Sequence, residues 1–94
     1  MFGTIGHSRF KPENREALER VLQGQELDAG AGFRHGFVLY PDGKDEVYIF
    51  AVFTDRETYY ANANDPAQHE RYLEYRALLE EDPTWIDGEI SGSE

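Results

Sequence analysis

"GFRHGFVLYPDGKDEVYIFAVF", residues 32–53, decides the fold. Two runs rich in aromatic and β-branched side chains, 32–40 and 46–53, flank the turn-forming segment PDGKD, a pattern that predicts a β-hairpin. Side chains alternate between faces along a strand. Val47, Ile49, Ala51 and Phe53 therefore share one side of the second run, and Tyr48, Phe50 and Val52 the other. The first run sets Phe33, Phe37 and Leu39 against Val38 and Tyr40. Both faces are apolar, whereas an antiparallel sheet with one face in water alternates apolar with polar residues. The face that the chain's own helices leave bare needs a cover. Exposing it would forgo roughly 25 cal/mol per Å² over a patch larger than soluble monomers usually show. A second copy of the chain, stacked sheet to sheet, is the simplest cover. The alternative is a monomer whose outer aromatics half-shield one another.

Working outward, residues 1–10 alternate in a way that suits a first strand, ended by Lys11-Pro12. From Glu13 to about Gln25, Ala17, Leu18, Val21 and Leu22 recur at helical spacing, and Gly24 or the following LDAGAG is expected to stop that helix. Thr54, with Glu57 three residues on, has the form of a capping box opening the short helix DRETYYANA. Asp65 as N-cap with Pro66 at the first position then restarts a helix, expected to run to Asp82 before Pro83. Residues 84–90, TWIDGEI, form a short last strand. The order is βαββαβ: an α+β, ferredoxin-like domain with two helical segments on one face of a four-stranded antiparallel sheet, dimerising into an α+β barrel. It spans residues 1–90, with 91–94, SGSE, as a loose tail.

The chain has 94 residues, with 9 Lys+Arg against 19 Asp+Glu, a formal net charge of −10. A field of that sign repels phosphate backbones and anionic head groups, so neither nucleic acid nor a membrane surface is an expected partner. No apolar run approaches the roughly 20 residues of a spanning helix, and the amino end lacks the pattern of a secretory signal. There is no cysteine, which removes disulfides, thiolate nucleophiles and cysteine metal sites. A cytoplasmic location is the default expectation. A chain this short buries only about 60% of its unfolded surface, so a partner subunit would also help stability.

The opening strand leading into "FKPENREALERVL", the hairpin above, and "DPAQHERYLEYRALL" followed by "DPTWIDGE" together resemble the dimeric α+β barrel superfamily, and within it the antibiotic biosynthesis monooxygenase-like (ABM) domains. The resemblance covers nearly the whole chain and implies a homodimer with a cavity between helices and sheet. It specifies the fold better than the activity, because the superfamily includes cofactor-free oxygenases of polyphenols, haem-degrading enzymes, isomerases and proteins without assigned chemistry. The haem-degrading branch uses an Asn on the first strand and a Trp and a His on the second helix. The matching neighbourhoods here hold His7, Tyr59 or Tyr60, and His69, so only the histidine is retained.

Around the second helix, at about 100° per residue, Tyr72, Tyr75, Leu78 and Leu79 form one side of an apolar arc and Leu73 and Ala77 the other. His69 and Arg76 fall between these groups and are expected to point inward. A buried cation needs an acid, a carbonyl or a wet cavity. In the catalytic reading, His69 is a general base, since a histidine's ordinary pKa of about 6.5 suits removal of a phenolic proton. Arg76 then holds the oxyanion. Tyr72 and Trp85 wall the substrate, with His7 and Tyr59 as further substrate-binding residues. In the plainer reading, His69 is half exposed and Arg76 reaches past the core to a surface acid. His7, His35 and His69 lie on three separate elements without zinc-motif spacing, so no metal is expected. GAG, residues 30–32, precedes a strand and lacks the helix start that cradles phosphate. Asp87-Gly88 reads as turn or bulge chemistry, and Asn62 and Asn64 as parts of the helix break. The expected function is a cofactor-independent oxygenase of a small aromatic phenol or quinol, and the alternative is a non-catalytic dimer that binds a small ligand or serves assembly.

Overall fold

The hairpin forms as its composition dictates. In a computed structural model, which describes residues 1–27 and 32–91 and the side chains of all of these except 25–27, β2 (Phe33–Leu39) pairs antiparallel with β3 (Glu46–Phe53). Gly43 takes a φ of 72° in the connecting turn, a left-handed conformation that glycine adopts without strain. β1 (Phe2–Arg9) lies on the other side of β3, and β4 (Thr84–Glu89) on the other side of β1. The sheet order is β2-β3-β1-β4, all antiparallel. With three helices, α1 (Arg15–Leu27), α2 (Arg56–Ala63) and α3 (Pro66–Arg76), this is the ferredoxin-like α+β fold expected from the sequence.

The core lies between sheet and helices. Phe10, Leu18, Leu22, Val47, Tyr75 and Leu79 form one buried cluster. Tyr75 of this cluster and the neighbouring Ser8 are each 2% exposed and share a hydrogen bond of 2.6 Å between their hydroxyls. Each satisfies a group that would be costly to bury alone.

Several local details differ from the sequence reading. Gly24 does not stop α1, which continues to Leu27; residues 28–31, which carry most of the LDAGAG segment and part of GAG, lie outside the described residues, as do 92–94 of the tail. The capping box of α2 belongs to Asp55 and Thr58 rather than Thr54 and Glu57. The Asp55 carboxylate accepts from the Thr58 amide at 2.9 Å, and Thr58 Oγ1 accepts from the Asp55 amide. Thr54 instead donates its hydroxyl to the Gly32 carbonyl, tying the ends of the hairpin together. Asp65 caps α3 through Ala67 N–H, with Pro66 at the first position, as expected.

α3 stops at Arg76, six residues before Asp82. The next residues are drawn onto the end of β1. Leu79 bridges to Phe10, Glu80 N–H donates to the Arg9 carbonyl at 2.9 Å, and the Leu78 carbonyl accepts from the Asn14 side chain. Backbone partners from another element thus replace those that a continued helix would supply.

A register irregularity between Phe33 and His35 reassigns the faces of β2. One extra residue inverts the alternation beyond it. Phe33 pairs with Phe53 and Val38 with Ile49 on the helix-covered face, whereas Phe37 pairs with Phe50 and Leu39 with Tyr48 on the bare face. That bare face is apolar and exposed: Phe37 is 63% accessible, Leu39 50%, Ile86 70%, Ile5 39% and Ile90 41%.

Candidate functional site

Between the helices and the sheet lies a cavity of about 410 Å³, within the range of small-molecule sites. Helix α2 places Tyr59 and Asn62 on its wall, α3 places His69 and Tyr72, and the sheet contributes Thr4, Trp85 and Asp87. The Asp65-Pro66 restart lets two short helices meet the same space. Among the predicted site residues, His69, Tyr72, Trp85 and Tyr59 are therefore brought together. His69 lies nearly parallel to Tyr72, with ring centroids 6.4 Å apart. The site is open to solvent: His69 and Asp87 are exposed, and Trp85 is 44% accessible.

Two further expected residues lie elsewhere. Arg76 does not line the cavity. Its Nε donates to Asp82 at 2.6 Å and its Nη1 to the Leu79 carbonyl at 3.4 Å, which is the reach to a surface acid that its long stem permits. His7 sits on the opposite, bare face of the sheet, where its Nε2 is 2.7 Å from Glu46 Oε1 and its ring lies 4.5 Å from that of Tyr48. His35 is on that bare face too, beside Phe37. The sheet therefore separates His7 and His35 from His69, and among the described residues no group of three or more His, Cys, Asp or Glu could hold a metal.

Trp85 owes its position to a glycine. It pairs with Gly6 across the β1–β4 ladder, and a Cβ on Gly6 would lie 2.4 Å from the indole ring, so only glycine lets the ring lie across β1.

Asp87, expected at a turn or bulge, lies instead within β4 in regular register with Thr4 and is the polar centre of the sheet wall. It lies two residues from Trp85 on β4 and so on the same face, a relation visible in the alternation of TWIDGE. Its Oδ1 accepts from Thr4 Oγ1 at 2.7 Å and from the Tyr59 hydroxyl at 2.8 Å. Tyr59 is held in place by Phe2, Phe53 and Tyr60, with centroids 5.2, 5.4 and 4.9 Å away. Burial pushes the Tyr59 phenol up to about 12; the Thr4 hydrogen bond opposes this and Asp87 reinforces it. Tyr59 therefore remains a protonated donor at neutral pH. Asn62 serves the helix break, as expected, its carbonyl accepting from Asn64 N–H at the end of α2, and the residue also lines the cavity.

An α+β ferredoxin-like domain holding an aromatic-walled cavity between helices and sheet is the class these features define. More particularly, the fold is that of antibiotic biosynthesis monooxygenase domains of known structure. A provisionally named antibiotic biosynthesis monooxygenase from Deinococcus radiodurans superposes with a TM-score of 0.86 at 12% identity, over 99% of this chain and 95% of that one. A point variant of SnoaB, a cofactor-independent oxygenase from Streptomyces nogalater, gives 0.83 at 18% identity, over 98% and 94%. Rv0793 from Mycobacterium tuberculosis gives 0.82 at 16%, over 98% and 96%. No family model matches the sequence, and no curated protein does. At these identities the likeness is one of fold. No helix among the described residues is long and apolar enough to cross a membrane.

Proposed function

We propose that the chain is an ABM-like homodimer, formed through the bare sheet face, whose subunits act as cofactor-independent monooxygenases on a small phenol or quinol. The observation that carries this reading is the convergence of His69 from α3 and the aromatic walls Tyr72 and Trp85 on one cavity. The similar fold of SnoaB, itself a cofactor-independent oxygenase, supports it.

In this mechanism, His69 removes the phenolic proton, and the electron-rich ring carbon of the anion reacts directly with O₂. Collapse of the resulting hydroperoxide leaves one oxygen atom on the ring as a quinone carbonyl and releases the other as water. With Arg76 engaged by Asp82, the anion is stabilised by the imidazolium formed in the proton transfer and by the amide donor of Asn62, rather than by a guanidinium. Trp85 and Tyr72 hold the ring plane.

Oxygen uptake with a panel of quinols tests the proposal. The wild type should consume O₂, and His69→Ala should lower the rate about 10²- to 10⁴-fold, as expected for loss of a general base. Turnover unaffected by His69→Ala would remove the assigned base. No uptake with any quinol would leave a non-catalytic binding role.

A further inference from the structure

We propose that Asp87 is a specificity-determining residue of this cavity, whose free carboxylate oxygen takes a hydrogen bond from an O–H or N–H group of the bound aromatic. The inference rests on the reading of the cavity as an aromatic site, and adds a polar anchor on the sheet wall opposite His69.

Three observations carry it. First, the carboxylate is oriented: Thr4 and Tyr59 both donate to Oδ1, fixing the plane of the group, and among the described residues none donates to Oδ2. Second, among the described residues no cation forms an ion pair with it; the ion pairs there are made by Glu46, Glu81, Glu19 and Asp82. Third, it belongs to the cavity wall together with Trp85. An ionised carboxylate accepts hydrogen bonds only. While the cavity is open, water satisfies Oδ2. When an aromatic covers Oδ2 and displaces that water, a ligand with a donor restores the bond, whereas a ligand without one leaves Oδ2 without the bond that water had made. Sites built around such a group reject the analogue lacking the donor more strongly than apolar pockets reject a missing methylene.

Because His69 stands on α3 and Asp87 on β4, the two groups meet a ligand from opposite layers of the domain. The donor read by Asp87 is thus distinct from the hydroxyl offered to His69. Tyr59, which stays protonated well beyond neutral pH, keeps the carboxylate in register with the cavity.

Isothermal titration calorimetry under nitrogen tests this with dihydroxynaphthalene isomers, each paired with its monomethyl ether, which keeps one hydroxyl and loses the second donor. The wild type should bind at least one isomer about tenfold or more tighter than its ether, a difference of about 1.4 kcal/mol. In Asp87→Asn the amide oxygen still accepts from Thr4 and Tyr59, but an NH₂ group replaces Oδ2, so the preference should vanish or reverse. Asp87→Ala should abolish it as well, with far-UV circular dichroism as the check on folding of both variants. A wild-type ratio retained by either folded variant would overturn the role of Asp87, as would tight binding by the wild type without discrimination. Failure of the wild type to bind any of the ligands would remove the aromatic-site reading and this inference together.

Discussion

Phe37→Asp is the sharpest test of the assembly. Phe37 is 63% exposed on the bare face of the sheet, in a patch with Leu39, Ile86, Ile5 and Ile90. With a phenylalanine presenting about 200 Å², covering that fraction at roughly 25 cal/mol per Å² contributes about 3 kcal/mol. A two-fold dimer uses the residue twice, so the ceiling is about 6 kcal/mol of association free energy, or about 10⁴-fold in Kd. An aspartate would add the cost of burying a carboxylate in an apolar interface. The fold itself should survive, because Phe37 is outside the buried cluster of Phe10, Leu18, Leu22, Val47, Tyr75 and Leu79. Sedimentation velocity over a dilution series should show a wild-type dimer at micromolar protein and a Phe37→Asp monomer with native circular dichroism. A wild-type monomer at those concentrations would refute the reasoning, as would a variant that dissociates no more readily than the wild type.

Two further outcomes concern the core and the tyrosines. Tyr75→Phe and Ser8→Ala should each cost about 1–3 kcal/mol, because each leaves a buried hydroxyl without its partner, while the double variant should cost less than the sum of the two; strict additivity in urea unfolding would show that the pair is not coupled. Burial pushes Tyr75 up to about 12, as it does Tyr59. A tyrosine in the unfolded chain ionises near pH 10, so the folded state holds these protons more tightly. Their contribution is complete below pH 10 and is lost as the pH rises towards 12. Denaturant midpoints should fall across that window, and ultraviolet absorbance should show Tyr59 and Tyr75, with Tyr40 also pushed upward by burial, ionising later than the remaining phenols; a single phase near pH 10 would contradict the burial of these rings.

The local organisation was legible in the chain because its signals are local. The two runs 32–40 and 46–53 made the hairpin, Asp65-Pro66 made the helix restart, and the two-sided apolar pattern of β3 announced a bare greasy face that β2, Ile5 and Ile86 do carry. His69, Tyr72, Trp85 and Tyr59 were named from the sequence, and the fold brings them to one cavity. The bulge before His35, by contrast, inverted the parity of β2, which strict alternation could not anticipate.

The sequence alone determined where the hairpin strands and the restarted helix begin, since spacing and capping act within a few residues. Tertiary structure decided what each side chain meets. Periodicity places Arg76 on an arc, but only the end of β1, capturing residues 78–80, halts the helix and leaves the guanidinium facing Asp82. Likewise, nothing in TWIDGE names Thr4 or Tyr59. Asp87 reaches the cavity wall beside Thr4 and Tyr59 because β4 pairs with β1 and α2 packs over the sheet, a juxtaposition of groups 83 and 28 residues apart that only the packed chain creates.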